Sequence, residues 1–343
     1  MKLYEITIKP QSAFGTPLKG DTIFGHFCWQ VAHDPSLVDG GIEKNLASYD
    51  KSPFVVFSSA FPKNTVGKET VYYLPKPEHP GFMGYNPNAS TKKKIEVRKE
   101  QKKKKWLKLS NKGLLILSDA PCITDEEAAK ELSGNLEPEQ LLIMEKAGHQ
   151  KLFINFSQAH NAINRLTQTT GKGDFAPYST ENFFFFPEME LVLFVVVDET
   201  VVSIDNIVKG LNAIGQSGYG RDASTGLGRF EACEPDEVAV DYDKADACYA
   251  LAPCVPAKDE FSQAFFSPFV RYGKHGGTLA RSENPFKRPV IMADESSVFF
   301  PNDRKALEKP WLGSAVRNVS FLKPETVCQG YAPWLPVKLE ANK

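Results

Sequence analysis

The residues with the clearest chemical meaning lie in one glycine-rich stretch, GQSGYGRDASTGLGRF, residues 215–230. Glycines 215, 218, 220, 226 and 228 alternate there with Arg221, Ser224, Thr225 and Arg229. Glycine tolerates positive φ and lets a ligand approach the main chain closely. Exposed N–H groups can then donate to phosphate oxygens, while the two guanidinium groups supply counter-charge. Gly218, Gly220, Arg221, Ser224, Thr225, Gly226 and Arg229 therefore suit a sugar-phosphate backbone. The plainer alternative is a long turn needing several positive φ angles. GYGRDA also satisfies the dinucleotide fingerprint formally, but that motif needs a strand before it and a helix after it. Here the order is reversed, and the dinucleotide reading fails.

Three further groups are chemically suggestive. Lys19, Gly20 and Thr22 stand at an expected helix start, where unpaired N–H groups and the helix dipole favour phosphate. His26 lies one turn beyond Thr22, off the apolar stripe and towards the same surface. Asn161, Asn164 and Arg165 can read base edges, bond phosphate or stack, and Thr167, Thr169 and Thr170 can donate to phosphates. Ordinary capping, a solvated histidine and a hairpin turn are the respective alternatives. Phe183–Phe186 point to both faces of a strand, so at least two belong to the core and no stacking role is assigned.

Catalytic patterns are missing from the sequence: there is no HExxH, no GxSxG and no clustered carboxylate triad of a catalytic kind. His26, His160 and His275 could in principle cleave RNA by acid-base chemistry, but nothing in the sequence places two of them together. The six cysteines form no CxxC pair, and the tightest spacing, Cys248-x5-Cys254, fits no common zinc site. Reduced thiols are expected, with no metal and no cofactor.

The elements that must position these groups follow from periodicity. Lys2–Lys9 alternates as a strand, and a helix capped by Asp21 places Ile23, Phe24, Phe27, Cys28 and Val31 on one stripe. Phe54–Phe61 is a second strand and Val192–Val197 a central one. Between them, residues 62–113 read as an irregular, partly mobile insertion, followed by a helix at Glu137–Ala147 and a strand at Leu152–Phe156. A helix from Ser203 carries Ile207, Val208, Leu211 and Ile214, with Gly215 as its stop, and Phe230 opens the closing strand. The expected class is α+β: a ferredoxin-like domain over 1–240, with an insertion at about 62–180 and the glycine loop at 215–228. A smaller β-rich domain spans 241–343, with a second ferredoxin-like unit as the alternative for it.

A chain of 343 residues, 42% hydrophobic and 24% charged, has ordinary globular proportions and length for two domains. The net charge of −1 hides an uneven distribution. Lys92–Lys108 holds nine lysines and one arginine against Glu96 and Glu100, or +8, so the remainder carries −9. Trp106 and Leu107 interrupt the run, and Ile95 and Val97 alternate at strand spacing. MKLYEITIKP has no apolar signal core, and Leu191–Val197 is too short to span a bilayer. A soluble, cytoplasmic protein without a membrane partner is expected.

The glycine loop, placed after a helix and before a closing strand, resembles the signature of the RAMP superfamily of CRISPR proteins. FGTPLKGDTIFGHFCW (Phe14–Trp29) is similar to the opening motif of the Cas5-like RAMP subunits of type III-A Csm complexes. HNAINRLTQTTGKGDFAPY (His160–Tyr178) resembles the NRLTGTT segment of that branch. NPFKRPVIMAD (Asn284–Asp294) and QGYAPWLPV (Gln329–Val337) resemble its carboxyl-terminal signatures. The five stretches keep the family's order over nearly the whole chain. The resemblance implies a RAMP fold and a non-catalytic subunit that binds the 5′ handle of the guide RNA (crRNA). It also implies as partners the large polymerase-like subunit, the backbone RAMP subunit and, in the assembled complex, target RNA. The alternative within the superfamily is a metal-free endoribonuclease that processes guide RNA. Three positions depart from the pattern: Arg221 stands for the usual Lys, Leu227 for a second Lys, and Gln168 for Gly.

Overall fold

The alternation at the amino terminus becomes strand β1 (Lys2–Pro10), which buries Tyr4, Ile6 and Ile8. The structure is a computed structural model describing residues 1–67, 69–80, 90–110 and 121–338. Helix α1 (Gly20–His33) buries Ile23, Phe24, Phe27 and Val31, the stripe expected at 3.6 residues per turn. Lys19, not Asp21, occupies the N-cap position, and no side chain caps this helix. Helix α2 (Gly41–Ser48) leads into β2 (Val55–Val66).

The insertion after β2 is more ordered than its composition predicts. It comprises β3 (Glu69–Pro75), α3 (Thr91–Lys103), β4 (Lys104–Ser110), β5 (Cys122–Thr124), α4 (Asp125–Ser133) and α5 (Pro138–Ala147). A hairpin of β6 (Phe153–His160) and β7 (Tyr178–Phe185) completes it. The irregular reading of 62–113 is therefore corrected: β3 and β4 pair, with Leu74 opposite Leu107 and both buried. Lysines between the apolar positions masked this alternation. Residues 68, 81–89 and 111–113 of that stretch lie outside the described residues. Ile95 and Val97 sit on a helix rather than a strand, because Ser90 caps α3 and Lys, Arg and Glu are good helix formers.

Strand β8 (Glu190–Val197) lies between β1 and β2, with Leu191–Val197 all buried. At roughly 1.5–3 kcal/mol for each buried aliphatic or aromatic side chain, it anchors the sheet. Helix α6 (Ile204–Ser217) starts at Ser203, whose hydroxyl accepts from Asn206 N–H at 3.2 Å. Its expected stop is corrected: Gly215 lies within the helix, where its missing side chain makes room for the Phe230 carbonyl, and the helix ends before Gly218. Strand β9 (Phe230–Glu237) closes the unit. The seven-stranded sheet runs β5-β4-β3-β2-β8-β1-β9, and β2, β8, β1 and β9 pair antiparallel. With α1 after β1 and α6 after β8, these four strands have the split-βαβ, ferredoxin-like order.

The carboxyl-terminal part contains β10 (Ala247–Ala250), β11 (Phe261–Phe265), β12 (Pro268–Arg271), β13 (Val290–Ala293), β14 (Val298–Pro301), β15 (Trp311–Gly313) and β16 (Tyr331–Val337). Five of them form a sheet in the order β11-β14-β10-β16-β15, while β12 and β13 make a separate ribbon. Among the described residues after 240 there is no α-helix, which corrects the ferredoxin-like possibility for this part. Tyr249, Leu251, Tyr331, Leu335 and Val337 share one apolar cluster with β1, β2 and β8, so the two parts are fused through a common core. Cys248 and Cys254 are buried, and the other four cysteines are half-buried. No helix among the described residues is long and apolar enough to cross a membrane.

Candidate nucleic-acid interface

The glycine loop is sewn to the chain that follows β1. Gly228 N–H donates to the Ala13 carbonyl at 2.8 Å, and Arg229 N–H donates to Ser12 Oγ at 2.8 Å. Gly228 has φ 73°, and a Cβ there would stand 2.2 Å from the Tyr219 carbonyl oxygen, so only glycine fits. Tyr219 is fully buried beneath the loop, its hydroxyl donating to the Pro17 carbonyl at 3.0 Å. Gly220 N–H donates to His26 Nε2 at 3.3 Å, and Arg221 N–H to Thr16 Oγ1 at 3.0 Å. The expectation of phosphate-ready N–H groups is therefore corrected at Gly218, Gly220, Arg221, Thr225, Gly226 and Arg229, whose N–H donors are used within the fold. Gly218 faces the Leu227 carbonyl, whereas Gly226, at φ 98°, has open space where a side chain would be. Ser224 and Thr225 are exposed, and the Thr225 hydroxyl donates to the Asp222 carbonyl at 2.8 Å.

Arg221 ties this loop to the β6–β7 hairpin. Its Nη2 donates to the Glu181 carbonyl and, at 3.0 Å, to Asn182 Oδ1. Phe14 and Phe183 exchange both backbone hydrogen bonds beside it. At the hairpin tip, Asn164 bridges to Thr169 and its Oδ1 accepts from Leu166 N–H at 2.9 Å, so Asn164 builds the turn. Gln168 takes φ 56°, the left-handed conformation natural to the glycine it replaces in the resembling family. Asn161, Arg165, Thr167 and Thr169 are exposed on this projection, as are Ile163 and Leu166. In the Phe run, Phe186 is buried and Phe184 is exposed against Phe156, with ring centroids 4.8 Å apart.

A cleft of about 610 Å³ opens between the glycine loop, α1 and the carboxyl-terminal part. Thr16, Thr22, His26, Gly220 and Arg221 line one side; Tyr272, Lys274, Lys287 and Arg288 line the other. Arg271 also lines it, but its guanidinium forms a bidentate pair with buried Asp21 at 2.5 and 2.8 Å. Cations still outnumber acids, since Asp222 is the other carboxylate on the wall. Arg288 lies over the Phe321 ring and Lys274 over Phe286, which holds their charged ends in place. An apolar groove of about 500 Å³, lined by Cys28, Trp29, Leu46 and Leu279, adjoins the cleft at Trp29 and Lys287. Phosphate-compatible charge thus sits beside a surface suited to a base.

Both histidines of the cleft favour the neutral form. Burial pushes His26 down to about 4, and burial with Lys287 and Lys323 nearby lowers His275. His275 Nε2 is 2.8 Å from Ser320 Oγ. His160 stands elsewhere, on the hairpin, 3.0 Å from Thr180 Oγ1 and stacked on Tyr178.

The start of α1 is turned inward. Lys19 Nζ pairs with Asp294 at 2.6 Å and Glu295 at 2.5 Å, and sits over the Phe269 ring. Gly20 is buried against the Phe57 carbonyl, 2.3 Å from where a Cβ would be. The open phosphate site expected from Lys19 and Gly20 is corrected to a seam between the two halves of the chain. The cations Lys274, Lys287 and Arg288 were missed as site residues. The signal for two of them was the adjacent Lys-Arg pair inside NPFKRPVIMAD.

No protein-family model matches the chain, and no curated protein is significantly similar to it. Solved structures do match. A chain of the Csm1-Csm4 cassette in complex with pppApA covers 100% of both chains at 19% identity and a TM-score of 0.54. The cassette in complex with cA4 gives 18% identity, the same coverage and 0.55. A chain of the Csm3-Csm4 subcomplex of the type III-A CRISPR-Cas interference complex gives 17% identity and 0.53, covering 98% of this chain and 99% of that one. Csm4 is the component these assemblies share, and the present chain has its fold.

Proposed function

We propose that this protein is a non-catalytic RNA-binding subunit of a type III-A CRISPR (Csm) effector complex working in the cytoplasm. In this reading it holds the 5′ handle of the crRNA and links the large polymerase-like subunit to the backbone RAMP filament, close to where target RNA pairs. The observation that carries the reading is the cation-lined cleft of Arg221, Lys274, Lys287 and Arg288, with its adjoining groove beside Trp29. The fold supports it, because the similar solved assemblies pair Csm4 with Csm1 and with Csm3. Lys and Arg side chains position the sugar-phosphate chain, and the groove accepts an unstacked base.

An endoribonuclease is the second reading, since His26 and His275 line the same cleft. Their hydrogen-bond partners weigh against it: Gly220 N–H occupies Nε2 of His26, and Ser320 meets Nε2 of His275. The test is handle-RNA binding by the reconstituted complex, with cleavage followed in parallel. Lys274→Ala with Arg288→Ala should weaken guide retention, and replacing His26, His160 and His275 together should leave guide maturation and target cutting unchanged. Loss of cleavage with RNA retained would favour the enzyme.

A further inference from the structure

The densest charge in the chain lies outside the cleft. Helix α3 carries six lysines and Arg98 against Glu96 and Glu100, and buries none of its 13 residues. A helix that buries nothing gains little from packing, and like charges three and four residues apart weaken it further. Its attachment is one-sided: Lys94, Val97 and Gln101 are half-covered, and Lys76 Nζ donates to both oxygens of Gln101 at 3.1 Å. Lys92, Lys99 and Lys103, at i, i+7 and i+11, fall on the opposite, outward line, which is about 16 Å long. Glu96, at i+4, lies on that line, and Lys102 stands beside it.

The adjoining lysines of β4 are treated differently. Lys105 pairs with Asp125 at 3.1 Å, and Lys108 with Glu131 at 2.7 Å. Among the described residues, no carboxylate pairs with Lys92, Arg98, Lys99, Lys102 or Lys103. The fold pairs Lys105 and Lys108 of the strand and leaves the helix charged.

We propose that α3 is a second nucleic-acid contact, a charged rail for the phosphodiester backbone of single-stranded RNA that works independently of sequence and of the cleft. Phosphate contacts call for flexible cations without a hydrophobic anchor. A protein partner would favour aromatic or apolar anchors at its centre and few lysines. The outward line holds three lysines and one carboxylate, Glu96, with Ile95 at its flank.

The test uses the full chain and fluorescence anisotropy with a 20-nucleotide RNA unrelated to any handle. K92Q/K99Q/K103Q should bind about tenfold more weakly near 0.1 M salt, and its log-affinity against log-salt slope should become shallower by about 2, from three lost single-strand phosphate contacts. K92R/K99R/K103R should retain both affinity and slope. The ratio of handle to unrelated RNA affinity should stay the same in all three proteins, which separates this contact from the cleft. A DNA of the same sequence identifies the source: an equal loss marks phosphate alone, a loss confined to RNA marks the ribose as well. Unchanged affinity and slope in the glutamine variant would overturn the proposal. So would loss of a partner subunit in a pull-down while RNA binding persists, which would make α3 a protein-docking helix.

Discussion

The side-chain amide of Gln329 closes on the backbone of Phe57 from both sides. Phe57 N–H donates to Gln329 Oε1 at 3.0 Å, and Gln329 Nε2 donates back to the Phe57 carbonyl at 2.7 Å. The pairing of β2 with β8 shifts register between Phe57 and Ala60, so the backbone there lacks a regular ladder partner. A fully buried glutamine from the far end of the chain supplies it.

Gln329→Leu should therefore destabilise the fold by about 2–4 kcal/mol, because it orphans a buried donor and a buried acceptor. Urea denaturation measures this. A loss below ~0.5 kcal/mol would mean that the bulge can satisfy itself.

Cleft and hairpin cations should separate in their effects. Arg288→Ala should reduce handle-RNA affinity roughly 10- to 100-fold, in line with about 1.5–3 kcal/mol for a charge-assisted hydrogen bond, without changing thermal stability. Arg221→Ala should cost stability as well, since Arg221 also bonds Glu181 and Asn182. Thermal melts beside binding isotherms distinguish the two.

Gly220→Val and Gly226→Val differ structurally although both positions have positive φ. A side chain at Gly220 meets Thr16 at 2.6 Å, whereas Gly226 faces open space. Gly220→Val should lower both stability and guide retention. Gly226→Val should carry backbone strain of about 1–2 kcal/mol and lose retention only if RNA passes over that face. Circular dichroism with RNA retention assigns each case.

His26 makes stability pH-dependent with a defined sign. Burial holds its folded-state pKa at about 4, below the ordinary 6.5, so the unfolded chain takes up the proton first. The stabilisation is complete above pH 6.5 and declines as pH falls towards 4. Between pH 7 and pH 5 the parent should lose about 1–2 kcal/mol more than His26→Gln. Parallel curves for the two proteins would place the acid sensitivity elsewhere.

Trp106 belongs to the fold and not to the charged rail. Its Nε1 donates to Asp125 at 2.6 Å and its ring stacks on Phe153, so Trp106→Phe should cost about 1–2 kcal/mol of stability and leave RNA affinity unchanged. A parallel loss of RNA binding would extend the nucleic-acid surface onto β4.

Elements with strong apolar periodicity could be read from the residues alone. The alternation of β1, the stripe of α1 and the apolar run of β8 each admit one solution. The α3–β4 region could not be read correctly, because its lysines obscure both the helix and the short strand, and only pairing with β3 separates them. At the site, the glycine loop announced itself by composition, yet the use of its N–H groups depends on Ser12, Thr16 and His26, far away in sequence. Lys19 illustrates the same limit. Its place before a helix suggested an anion, and only the fold brings Asp294 and Glu295 to it.

The seam between the halves also sets an order of events during synthesis. Lys19 meets Asp294 across 275 residues, Asp21 meets Arg271 across 250, and Phe57 meets Gln329 across 272. Contacts of such sequence separation form late, since chain-closure entropy must be overcome before they stabilise anything. The ferredoxin-like sheet is complete in sequence at Glu237, whereas the far wall of the cleft, residues 272–288, is made later. On the proposed reading, guide capture therefore needs both walls of the cleft, and a chain ending after β9 should fail to retain guide RNA.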